Sequence, residues 1–147
     1  MKKYTLMLSV LFATILFIGC GNTDGDMPRQ TGNASSEAAS GLDAAHHVMF
    51  DVARDAFDNG IDKDANCVTC YLNKAHVEQD RVLKRELFET ALELSEPGHP
   101  ETILAEAAVN WINGEGDRFA GYADLYAKYP NDRFLAAGAY RSLRAED

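Results

Sequence analysis

The chain has 147 residues, 46% of them hydrophobic, which is one domain's length and enough to bury a core. Its formal net charge of −9 arises from 23 acidic residues against 14 basic ones. That excess excludes nucleic acid as a partner, because phosphate recognition needs clustered Lys and Arg. It also argues against electrostatic attraction to anionic lipid.

In chain order, Met1-Lys2-Lys3 is a short positive segment, and an apolar run follows from Tyr4 to Ile18, interrupted only by Thr5, Ser9 and Thr14. This is the layout of a secretory leader. The run is about 15 residues, short of the ~20 that a helix needs to cross the hydrocarbon core. It ends in Phe17-Ile18-Gly19-Cys20. That segment resembles the lipobox of bacterial lipoproteins, with Phe17 in place of the usual Leu. The resemblance implies a signal peptide over 1–19 and a diacylglycerol thioether on Cys20. It also implies cleavage before Cys20 and N-acylation of the new terminus. Multiple acyl chains at ~0.8 kcal/mol per buried CH₂ give a stable anchor without a membrane-spanning helix. Gly21 is not the Asp that favours inner-membrane retention in Gram-negative lipoproteins. By resemblance this points to the periplasmic face of the outer membrane.

Residues 21–40 contain no Leu, Ile, Val or aromatic, and Met27 is their only large apolar side chain. Such a composition cannot offset the entropy of ordering, so 20–40 is expected to be a lipidated, disordered tether. Its reach would be roughly 25 Å.

From residue 41 to 147 the apolar period is helical, and an all-α domain of about five helices in antiparallel hairpins is expected. The first helix is expected over 42–59, with Ala45, Val48, Met49, Val52, Ala53 and Ala56 on its apolar face and Asn59-Gly60 as its stop. A second helical region over 67–95 carries two apolar stripes rotated from one another, which predicts one bent helix or a break at 78–80. Pro97-Gly98-His99-Pro100 ends it. Shorter helices are expected over 100–113, 117–129 and 132–144, separated by Gly114-Glu115-Gly116 and by Pro130-Asn131-Asp132.

Pro100 and Asp132, the starts of two of these helices, lie 32 residues apart. Gly116-Asp117, Tyr122 and Tyr126-Ala127-Lys128-Tyr129-Pro130 lie between them. This stretch resembles a tetratricopeptide repeat and the start of a second, a family with a period of ~34 residues. The resemblance implies an α-solenoid fragment whose surface binds a peptide or protein. The family's motif residues are packing residues, so no binding position carries over.

Cys67-Val68-Thr69-Cys70 is the sharpest local motif. Tyr71 stands where a c-type haem site needs His, and no βαβ setting for a thioredoxin-like site is visible. His76 falls on the wrong side of a helix to join the pair around zinc. A local disulfide is the preferred reading; two free or redox-active thiols and a metal are the alternatives. With Cys20 lipidated, the odd count of three cysteines resolves into one acceptor and one pair. Asp62-Lys63-Asp64-Ala65-Asn66 opens like an EF-hand loop, but Cys67 and Asn73 occupy the Gly and Glu positions, so a solvated acidic loop is expected.

No metal or cofactor site is expected, and no catalytic constellation stands out. Trp111, Tyr122, Tyr126 and Tyr129 belong to an aromatic-rich C-terminal stretch that either packs a core or forms a partly exposed binding surface. The leading functional expectation is a lipid-anchored protein–protein interaction module of the bacterial cell envelope. Its partners would be the membrane, through the anchor, and an envelope protein. The alternative is a small thiol or redox protein working through Cys67 and Cys70.

Overall fold

The computed structural model describes residues 25–145. The leader, the lipobox and Cys20 lie outside them. Among the described residues all regular structure is α-helical, in seven helices: α1 Ser35–His46, α2 Phe50–Lys63, α3 Val68–Val77, α4 Arg81–Leu94, α5 Pro100–Ile112, α6 Tyr122–Lys128 and α7 Arg133–Ala145. Helices α1 to α5 pack successively, each on the next, and α6 packs on α7. Helix α3 also touches α1 and α5. No helix of the described residues is long and apolar enough to cross a membrane.

The all-α class is as the periodicity dictates. Two extra helices appear because two expected segments divide. The region 67–95 divides at 78–80, where Glu78 is extended and the Asp80 carboxylate accepts the backbone N–H groups of Val82 and Leu83 at 2.8 and 3.0 Å. An aspartate that satisfies two orphan donors is a strong helix start.

The expected helix over 42–59 is corrected. It breaks at 47–49, and helical structure reaches back to Ser35. Val48 has φ +63°, the one non-glycine residue with positive φ among those described. Its apolar face is only half used. Ala53 is buried, while Val48, Met49 and Val52 are exposed.

The disordered tether expected over 20–40 is corrected for residues 25–40. Met27 is 1% exposed in the main core, and residues 25–34 form a strap fixed by polar anchors. Asp132 accepts the Met27 N–H at 3.3 Å and Arg29 Nη2 at 2.6 Å. Glu101 accepts the Gln30 N–H at 2.8 Å, and Asp64 accepts the Asn33 N–H at 2.8 Å. Glu101 is fully buried and also takes the Thr69 hydroxyl at 2.9 Å. A buried carboxylate tolerates burial when donors surround it, and here they come from the strap and from Thr69 on α3. Composition alone missed this because the anchors lie 31 to 105 residues away in sequence.

The core has two parts. One gathers Met27, Leu72, Phe88, Leu104, Tyr122, Leu125 and Leu135 from the strap and five helices. The other joins the small residues Ala34, Ala38, Ala44 and Ala53 with Phe57, Cys67 and Cys70. The two cysteine sulfurs lie 2.09 Å apart, at disulfide distance, across a Cα–Cα separation of 5.3 Å. They are accommodated by Gly60, where an added Cβ would stand 2.6 Å from the Cys70 sulfur. The disulfide preferred from the spacing is thus the observed arrangement. Both cysteines are fully buried.

Candidate ligand cavity and apolar corner

A cavity of about 310 Å³ opens between the α1–α2 corner, α3 and the α6–α7 hairpin. Its apolar wall includes Leu72, Leu104 and Leu135, with Val48 and Phe50 at the corner. Its polar lining combines four arginines with neutral groups, among them Asn73 and Tyr122. Arg29, Arg118, Arg133 and Arg141 reach it, with His46 and His76, and no Asp or Glu is among the described residues that line it. Half of the chain's eight arginines therefore meet at one cavity of a protein whose net charge is −9.

Two of these arginines are already paired. Arg29 bonds Asp132, with Glu101 at 3.6 Å, and the exposed Arg133 lies 3.4 Å from Asp43. The other two stand over the ring of Phe119, Arg118 at 4.7 Å from its centroid and Arg141 at 5.7 Å. Arg118 also lies 4.9 Å from the Trp111 ring centroid. Rings of this kind hold a guanidinium by its face and leave its N–H edge free. Neither Arg118 nor Arg141 has an ion pair with a carboxylate of the described residues. The Nε–H of Arg118 is buried without a hydrogen-bond partner. Burial lowers the pKa of Arg118, and the Arg141 charge adds to that.

Arg118 Nη2 donates to His76 Nδ1 at 3.1 Å, and His76 Nε2 lies 3.3 Å from the Tyr122 hydroxyl. Arginine only donates, so Nδ1 must accept and the imidazole proton sits on Nε2. His76 then donates to Tyr122 Oη, and the Tyr122 O–H proton is left to point elsewhere. Part of His76 reaches the surface, but both ring nitrogens face protein. Desolvation is accordingly the main cause that pushes its pKa down to about 3, with the Arg118 charge second. His76 is neutral at physiological pH. Burial raises Tyr122 to about 12, so its hydroxyl keeps its proton. The chain from Arg118 through His76 to Tyr122 thus presents donors and no fixed negative charge.

The Tyr122 ring is seated against α7 by Gly138, where an added Cβ would come 1.9 Å from the ring. Among the aromatics singled out from sequence, Tyr122 is 7% exposed and belongs to the core, and it also lines the cavity. Trp111 and Tyr129 are half-buried beside the core, and Tyr126 is 37% exposed. These four do not form one exposed aromatic face. The sequence weighed His76 only against zinc, and its meeting with Arg118 and Arg141 was not foreseen. They come from α3, the 113–121 loop and α7, and no local spacing links them.

A second feature borders the cavity. Val48, Met49, Phe50 and Val52 are 68%, 48%, 42% and 52% exposed, forming an apolar corner between α1 and α2. Val48 holds it in a left-handed conformation that costs an L-residue roughly 1–2 kcal/mol. A glycine or asparagine would meet that geometry more cheaply. No protein family matches this chain, and neither does any curated protein or solved structure.

Proposed function

We propose that this protein is a lipid-anchored component of the bacterial cell envelope, on the periplasmic face of the outer membrane, whose helical domain binds a partner protein. The anchoring half of this reading rests on the leader and on Phe17-Ile18-Gly19-Cys20. The Cys67–Cys70 pair supports it by leaving Cys20 as the remaining cysteine. The weak likeness to tetratricopeptide repeats adds a scaffold's logic to the binding half.

The observation that carries the binding half is the apolar corner. Four large apolar side chains are exposed at a strained turn and the first residues of α2, against local stability, which is where functional surfaces are found. Burial of both Cys67 and Cys70 favours a structural disulfide over thiol exchange, which needs an accessible sulfur.

The test is a photo-crosslinking residue at Val52 or, as a control, at Asp62 on an exposed part of α2, in intact cells of a bacterium that makes the protein. A discrete adduct from Val52, absent from Asp62 and lost in Phe50→Asp, supports the reading. Equal adducts from both positions, or none from Val52, count against it. Cys20→Ala should release the protein from membranes or leave it as precursor; unchanged membrane association would remove the anchor.

A further inference from the structure

We propose that the cavity beside the apolar corner binds an amphipathic organic anion: one carboxylate carried on an apolar body of about ten heavy atoms. This goes beyond partner binding, since it assigns a small-molecule site of its own, although Val48 and Phe50 border both features.

Charge selects the anion. Arg118 and Arg141 share the Phe119 ring and have no carboxylate partner among the residues lining the cavity. Asp117 acts on Arg118 through space without an ion pair, its carboxylate taking the Phe119 N–H at 3.1 Å and the Ser142 hydroxyl at 3.2 Å. Lys84 adds a further positive charge near His76 and Arg118, with Glu78 acting the other way on Lys84. Positive charge is therefore in excess at the cavity. Two guanidinium groups held near one another repel unless an anion bridges them.

Donor geometry selects a carboxylate. The Nε–H of Arg118 is a buried side-chain donor without a partner, and the Tyr122 hydroxyl, 3.3 Å from His76 Nε2, lies in the same chain of groups. A planar carboxylate matches a guanidinium edge with two parallel bonds. A phosphate would bring a second charge into a cavity walled by Leu72, Leu104 and Leu135, where desolvating it costs more than desolvating a single charge.

Volume and lining select the rest. About 310 Å³ corresponds to roughly ten times the ~30 Å³ share of a liquid water molecule, at the lower end of small-molecule sites. Trp111 is the chain's only tryptophan and lies under the Arg118 guanidinium, so its fluorescence reports on the site.

The experiment titrates the full chain in nonionic detergent with 3-phenylpropionate, octanoate, 3-phenylpropionamide and octyl phosphate, following Trp111 fluorescence and calorimetric heat. A saturable one-to-one change is expected with at least one carboxylate, and at least about tenfold weaker binding of the amide. The ratio of octanoate to 3-phenylpropionate tells an alkyl from an aryl body. Arg141→Gln, at an exposed position, should weaken carboxylate binding about tenfold while leaving thermal unfolding in place. The proposal is overturned by equal binding of acid and amide, or by tighter binding of octyl phosphate. It is also overturned by undiminished binding in Arg141→Gln, or by no saturable response. Because Val52 crosslinking needs none of these ligands, the two readings fail separately.

Discussion

His76 accepts a hydrogen bond from Arg118 through Nδ1 at 3.1 Å and is thereby held as a neutral ring that donates to Tyr122. Its folded pKa of about 3 lies below the ordinary 6.5. Between those values the unfolded chain binds one proton more than the folded one. Stability is therefore complete above pH 6.5 and falls as pH is lowered, by up to about 1.4 kcal/mol per pH unit from this residue. Urea unfolding of the protein and of His76→Gln between pH 7 and 5, above the range where most carboxylates titrate, should give a shallower slope for the variant. Identical slopes would show that His76 titrates normally.

Gly138 leaves no room between α7 and the Tyr122 ring. Gly138→Ala gains about 1 kcal/mol of helix propensity. It must also push a buried ring out of its seat, an overpacking cost of about 1–3 kcal/mol or more. The expected net result is a loss of about 1–2 kcal/mol in chemical unfolding, together with weakened carboxylate binding because the Tyr122 hydroxyl moves. A gain in stability would mean that the ring yields freely.

Val48 is 68% exposed, so replacing it loses little burial while relieving a positive φ. Val48→Gly should raise stability by roughly 0.5–1 kcal/mol, the strain relief less the entropy cost of glycine. It should also lower crosslinking from Val52. A variant that is more stable and still crosslinks fully would separate the strain from binding.

The Arg29–Asp132 contact ties the two ends of the described chain, with Asp132 4% exposed and also capping α7 through the Phe134 and Leu135 N–H groups at 3.0 Å. Removing one partner of such a pair leaves a buried charge uncompensated. Arg29→Ala should cost about 3 kcal/mol and should release amide protection over residues 27–33 in hydrogen exchange. Protection that persists would assign the strap's order to Met27 and Glu101 alone.

Most helix positions were legible because their determinants are local. Pro100 begins α5, Asp80 and Asp132 accept the first N–H groups of α4 and α7, and Leu87, Phe88 and Ala91 fall on one face. The short α6 was over-read by five residues at its start because Asp117, Phe119 and Ala120 continue the helical pattern. There the chain instead turns through Gly121 at φ +82°. The break at Val48 was illegible for the converse reason. Val48, Met49 and Val52 keep an apolar period that the fold leaves in solvent.

The sequence by itself determined the all-α class and made a Cys67–Cys70 disulfide the preferred reading, which the structure then decided. Both follow from spacings of a few residues, where side-chain period and chain reach decide the outcome. Only the tertiary structure decided that residues 25–34 are a strap and that four arginines meet at one cavity. Those features depend on partners such as Met27 with Asp132, and Arg118 with His76, far apart in sequence. Electrostatic attraction and burial act through space, so composition along the chain carries no record of which distant groups will share a site.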